Sequence, residues 1–447
     1  MRKVDMVIRN GRVIDTYQKL NHIQDIAVDK GVIVSAEDAE GEEEIDASGC
    51  IVTPGLIDFH AHLAYMATEL GILPDAAYFP TGVTTAVDAG STGVGNYLSF
   101  RAQTGYSQMR IKAYLNICTA GLTSSTYHEN IDPAAMNRSK MLEYIRKYSD
   151  QLLGFKVRQS REIAGELRLE PMKALLTLAG EAGCGVVVHT TNPPAEPEEI
   201  AGLLRAGDVY AHVYQGKGIT ILRDGKVRPQ LYEDQKRGVC FDAANGGNHF
   251  GFQVAKTAIA EGFLPDIIST DITTKTLMKG NCVFSLPFVM SKYIALGMEI
   301  PDIIERVTQN PARQMGEERN LGSLSCGTEA DIAIHRLIPR KMPYRDFSGE
   351  EILGEQLFKT EMTVRHGRCV FRQIDSIHEY LVVIIMLLVA CILTYVVPAG
   401  AYAREEVDGV TKVIADQFAF IEQTPVSPLR MFNYMYQGFV KQAALIF

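Results

Sequence analysis

His60 and His62 stand one residue apart at the end of residues 54–62, PGLIDFHAH. The short apolar run 56–59 predicts a buried strand. Residues i and i+2 of a strand share a face, so both imidazoles converge on one point. Two neutral imidazoles on one spot suit Zn²⁺ or a similar borderline metal. Taken alone, the HxH pair is equally compatible with two satisfied core or surface histidines. The distinction rests on whether other strand ends supply further ligands.

They do. Strands are predicted at 56–62, 83–88, 111–118, 152–157, 185–190, 208–213, 238–243 and 266–272, and most gaps hold a segment of helix length, such as 133–148 and 170–182. Eight alternating β and α units predict an α/β fold, a (β/α)₈ TIM-like barrel. Barrel chemistry sits at the C-terminal strand ends. In this chain those ends carry His60 and His62, Lys156, His189, His212 and Asp271. Six metal-competent groups at one rim form a joint pattern much stronger than any single member.

The pattern resembles the amidohydrolase superfamily, in its binuclear-metal branch with a carboxylated lysine. The resemblance spans roughly residues 1–372 and rests on VDMVIRNGRVID, PGLIDFHAH, TGVTTAVDAGS, GFKVR, VVVHT, VYAHVYQG, PDIISTD and VTQNPARQMG. Within the superfamily the chain is similar to dihydroorotase-like deacetylases, which hydrolyse N-acyl or O-acyl groups from small acids. The resemblance implies two divalent ions, zinc by ligand type. His60 and His62 would hold one ion, His189 and His212 the second, and Lys156, as N6-carboxylysine, would bridge them. Asp271 would ligate the first ion and shuttle a proton. The residue types allow these roles. An ammonium has no lone pair, but neighbouring dications disfavour it, and the free amine can take up CO₂ to give a carbamate with one oxygen for each metal. A metal-bridging hydroxide would attack the acyl carbon while Asp271 carries its proton to the leaving group. Lys156 could otherwise be a solvated lysine. Asp271, after Ser269 and Thr270, could otherwise be a helix cap.

On the substrate side, dihydroorotases carry an arginine two residues beyond the HxH pair, where this chain has Ala64. That departure argues against dihydroorotase itself. Arg158 shares a strand face with Lys156 and could bind a carboxylate, or form a surface ion pair. Asn245 and His249 flank a Gly-Gly pair after the seventh strand and could face a ligand, or belong to a tight turn. Related deacetylases read GHG-like in this loop, whereas this chain reads ANGGNH. The expected substrate is a small acylated acid. A cyclic-amide hydrolase of the dihydroorotase or dihydropyrimidinase type would share the metal site.

His22, His128, His335 and His366 lie away from strand ends and are read as surface or loop residues. Eight cysteines with no CxxC pair give neither a zinc ribbon nor a disulfide framework. Cys50, Cys118, Cys184 and Cys240 are expected as buried thiols, which fits a reducing cytosol. A net charge of −9 gives no electrostatic case for nucleic-acid binding. At 447 residues the chain exceeds one barrel. Residues 1–52 and 322–372 read as short strands, and the resemblance implies that they pair into a small β-sandwich beside the barrel at 53–321. A homo-oligomer is compatible with this organisation.

Residues 373–447 have another character. From 380 to 397 the chain runs YLVVIIMLLVACILTYVV, eighteen residues without charge, glycine or proline. As a helix it would span about 27 Å, near the roughly 30 Å hydrocarbon thickness. The expectation is a transmembrane helix anchoring a cytoplasmic enzyme to the membrane. The tail, in LTYVVPAGAYAR and EQTPVSPLRMF, resembles the N-terminal part of C4-dicarboxylate anaerobic carriers. A membrane transport fragment with an incidental soluble domain is therefore the competing class.

Overall fold

The computed structural model describes residues 2–123, 128–373, 377–407 and 410–427. The chain divides into two compact units, Met1–Gln373 and Ile374–Phe447.

Seven parallel strands form the central sheet of the first unit: Leu56–Ala61, Val83–Asp88, Arg110–Asn116, Leu152–Arg158, Gly185–His189, Val209–Ala211 and Cys240–Asp242. Their spatial order follows chain order, as in parallel strands joined by crossover segments. The eighth segment differs from expectation, because 266–272 is not a regular strand. Ile267 bridges Asp242 and Ile272 bridges Ala61, both in parallel, so two contacts join the segment to both sheet edges. Asp271 has φ +52, a left-handed backbone that no strand continues. Beside it, Thr270 spends its N–H and hydroxyl on the buried Asp58 carboxylate, at 3.0 and 2.5 Å.

Side-chain parity positions the site. Val186, Val188, Phe155 and Val157 belong to the core between strands and helices. Val187, with Ile57, Phe59, Val87, Tyr114 and Val209, fills the barrel interior. Two residues beyond Val187, His189 keeps the interior face, as do Lys156 and Arg158 on either side of Val157. The outer helices follow their sequence signals. Glu170–Ala182 buries Met172, Leu175, Leu178 and Ala179 and ends on Gly183 at φ 71. The segment 133–148 is instead broken. Met136 is extended, and a new helix, Arg138–Lys147, starts where Asn137 accepts from Lys140 N.

Both ends of this unit build two further sheets. Arg2–Arg9, Ile26–Asp29, Val32–Val34 and Ala39–Asp46 form one. Arg12–Asp15, Leu20–Ile23 and Ile51–Pro54 join Ile332–Arg345, Glu351–Arg365 and Arg368–Arg372 in the other. Met6, Ile8, Val28, Val52, Ile334 and Val364 belong to one shared core.

His335 is not a surface residue. It is buried in the strand Ile332–Arg345 against Phe358, with Nδ1 3.2 Å from Thr360 Oγ1. Burial pushes its imidazole down to about 4. The unfolded chain takes up that proton near the ordinary value of about 6.5, so stability present above this pH is lost as the pH falls towards 4. Lowering the pH from 7.5 to 5 is expected to cost the wild type about 2 kcal/mol more than His335→Leu. Urea unfolding at the two pH values measures the difference.

The second unit holds a helix, Ile377–Val396, and an antiparallel hairpin, Gly400–Val407 with Val410–Phe420. The expected transmembrane helix over 380–397 is overturned. No helix among the described residues is long and apolar enough to cross a membrane. The C-terminal part of the helix is instead engaged by returning chain. Gln423 Nε2 donates to the Thr394 and Val397 carbonyls, Val426 N donates to Thr394 Oγ1, and the buried Cys391 thiol donates to the Val426 carbonyl. Such pairing satisfies polar groups with protein. The expected membrane anchoring is thereby left without support. Residues 428–447, the end of the carrier-like stretch, lie outside the described residues.

Candidate metal centre

A cavity of about 530 Å³ opens over the C-terminal strand ends, and His60, His62, Lys156, His189 and Asp271 line it. Three imidazoles tie their Nδ1 atoms away from the centre. His60 Nδ1 meets Asp242 Oδ2 at 3.1 Å, His62 Nδ1 meets Ser91 Oγ at 2.8 Å, and His212 Nδ1 donates to the Ala244 carbonyl at 2.7 Å. A carbonyl only accepts, so His212 Nε2 carries a lone pair. That atom is buried and has no hydrogen-bond partner among the described residues. His62 Nε2 lies 3.1 Å and His60 Nε2 3.9 Å from Asp271 Oδ1. Lys156 Nζ is 3.2 Å from His60 Nε2, and the His189 ring centroid is 4.3 Å from that of His212.

Electrostatics follow from burial. His60, His189 and His212 are held well below the ordinary imidazole value because the interior disfavours their charged form. The same cause lowers Lys156 to about 8. Asp242, beneath His60, is raised by burial to about 7. For Asp271 burial acts upward, but hydrogen bonds from His249 and His62 outweigh it and hold the carboxyl well below its usual range. Neutral imidazoles, an anionic carboxylate and an easily deprotonated amine suit a divalent cation. The orphaned His212 Nε2 is the atom such an ion would satisfy. His60, His62 and Asp271 form one group of three donors, and His212, His249 and Asp271 form another.

The remaining candidates divide. Arg158 lines the cavity, its Nη1 donating to Glu129 Oε2 at 3.0 Å. His249 sits within the histidine cluster rather than on an outer wall. Asn245 does not face the cavity: it is fully buried, with Nδ2 donating to the Ser269 carbonyl at 2.8 Å. Several further residues shape the centre. Glu129 is a buried acid in a loop, and Asn116, which donates to it at 3.2 Å, ends the third strand. Asp242 had a legible signal, as the one acid in an apolar strand ending at the rim. His128, read as an ordinary loop residue, is exposed but lines the cavity.

The profile of the amidohydrolase family matches residues 51–352. The chain belongs to that family. A deacetylase of Agrobacterium fabrum is 32% identical over 325 residues, 72% of this chain and 79% of its own. The crystal structure of an adenine deaminase superposes with a TM-score of 0.77 at 27% identity, covering 83% of this chain and 100% of its own. That of a dihydroorotase gives 0.74 at 29%, covering 82% and 98%. This amidohydrolase is a hydrolase acting on carbon–nitrogen or ester bonds, and its His60, His62 and Asp271 are placed to bind a divalent ion. The carrier-like resemblance of its tail finds no support in these comparisons.

Proposed function

We propose that this amidohydrolase uses two divalent ions, zinc by ligand type, to remove an acyl group from the nitrogen or oxygen of a small carboxylic acid. The observation that carries the reading is the gathering of His60, His62, Lys156, His189 and Asp271 on one cavity that Arg158 also lines, with the orphaned His212 Nε2 among them. The deacetylase relative supports acyl transfer to water as the reaction.

His60 and His62 would hold one ion and His189 and His212 the other, and Lys156, as its carbamate, would offer each an oxygen. Burial favours the free amine of Lys156 that takes up CO₂. The bound ions supply Lewis acidity toward water and toward a carbonyl oxygen. Asp271 accepts the proton of the attacking water on a carboxylate oxygen and returns it to the leaving atom. Arg158 orients the substrate through its carboxylate. Its guanidinium is aimed by Glu129, which Asn116 fixes in turn. Arg158→Met is therefore expected to raise KM at least 10-fold while changing kcat by less, because a contact made equally in ground and transition states is lost. Steady-state kinetics on the acyl acid check the split.

The solved dihydroorotase favours a second reading, cyclic-amide hydrolysis. Against it, Ala64 stands where the carboxylate-clamping arginine would be, and it is fully buried. The deciding experiment is a hydrolysis screen on metal-reconstituted protein. It compares N-acetyl amino acids and O-acetyl hydroxy acids with dihydroorotate, hydantoins and lactones. Turnover of the acyl acids is expected. Rapid turnover of dihydroorotate with none of the acyl acids would overturn the assignment.

A further inference from the structure

His249 has no role in the ligand set given above, yet it stands inside the centre. Its Nε2 lies 3.3 Å from Asp271 Oδ2, on the carboxylate oxygen opposite the one that faces His60 and His62. Its ring centroid is 4.3 Å from that of His212 and 5.1 Å from that of His189. The donor atoms of His212, His249 and Asp271 all lie within 4.8 Å of one another.

Three separate features build the ring into this position. Thr191 Oγ1 meets His249 Nδ1 at 2.8 Å. The ring thus repeats the arrangement of His60, His62 and His212, with Nδ1 tied outward and Nε2 turned inward. Gly246 has φ +58, and a Cβ there would collide with His249 Cδ2 and come within 2.6 Å of Asp271 Oδ2. Only glycine lets the ring lie against that carboxylate. The loop is also pinned at both ends, by Gly246 N to the Thr270 carbonyl at 2.9 Å and by Gly216 N to the His249 carbonyl at 3.0 Å. Beside the ring, the buried His212 Nε2 has no hydrogen-bond partner among the described residues, so two inward-facing imidazole nitrogens flank one space.

We infer that His249 is a ligand of the second divalent ion, together with His212 and His189. This rests on the metal-dependent reading above. The extra neutral donor adds affinity at the second site. It also accounts for a loop that places Gly-Gly ahead of a histidine.

The test uses the full chain, stripped of metal and titrated with Co²⁺, read by visible absorption and by bound equivalents. Wild type is expected to take two equivalents. His249→Ala should weaken the second at least 10-fold and alter its spectrum, and added imidazole should restore the spectrum. Thr191→Val removes only the outer partner of the ring and should weaken the second equivalent by about 10-fold. It decides the matter should His249→Ala fail to fold. Unchanged stoichiometry, affinity and spectrum in both variants, with only KM raised, would make His249 a substrate contact and overturn this inference alone. A wild type that binds no Co²⁺ would overturn the metal-dependent reading itself, and this inference with it.

Discussion

Asp271→Asn is expected to lower kcat by about 10²–10⁴-fold, the range of general acid–base catalysis, while the protein keeps most of its metal. An amide oxygen can still ligate, but an amide cannot take a proton from water and hand it on. The fold should tolerate the exchange. Residue 271 sits at φ +52, and asparagine enters the left-handed region more readily than most residues. The carboxylate is buried and held by His62 and His249, so its neutral isostere keeps the volume while losing the charge. Turnover and bound metal, measured on one preparation, separate the outcomes. Wild-type turnover in the variant would remove Asp271 as the proton carrier. Active wild-type protein with less than one metal equivalent would falsify the binuclear reading.

Much of this centre was legible because strand parity is a strong constraint. A period of two carries from Val187 to His189 and sets Lys156 between Phe155 and Val157, so apolar runs ending in a lone polar residue point to the rim. Two other candidates, His212 and Asp271, sit on left-handed bends at φ 66 and φ 52. Their placement at strand ends was readable, but their backbone was not, because nothing in VYAH or IISTD marks a positive φ. For the same reason the last barrel segment was expected as a strand and is two isolated bridges. Glu129 was invisible because it comes from a loop, where no periodicity assigns a direction. In the sequence, Asn245 and His249 share one Gly-Gly loop. Which of them turns inward depends on Gly246 within the loop and on the Ser269 carbonyl of the neighbouring segment, contacts that spacing does not encode. The apolar run at 380–397 met the composition rule for a span, yet composition says nothing about the chain that folds back to Cys391 and Thr394.

Lys156→Ala should cost more than an outer contact, whose loss typically weakens metal binding by about 10–100-fold. The side chain is buried, its Nζ is 3.2 Å from His60 Nε2, and its stem packs on Gly90. Truncation leaves a void lined by metal-binding groups. Bound metal is expected to fall from two equivalents to one or fewer, and kcat to fall with it. Because the proposed carbamate supplies two oxygens on a short stem, formate, acetate or propionate added with metal should enter the void and restore part of the activity. Lys156→Met keeps much of the stem volume, so the same acids should rescue it poorly. This contrast separates a missing carboxylate from a collapsed barrel, since an unfolded variant would respond to no acid. Wild-type protein stripped of metal should likewise reload more slowly in CO₂-free buffer than with bicarbonate. Full activity of Lys156→Ala without any added acid would remove the carbamate from the mechanism. The metal would then be held by imidazoles and Asp271 alone, a donor set in which His249 would carry still more weight.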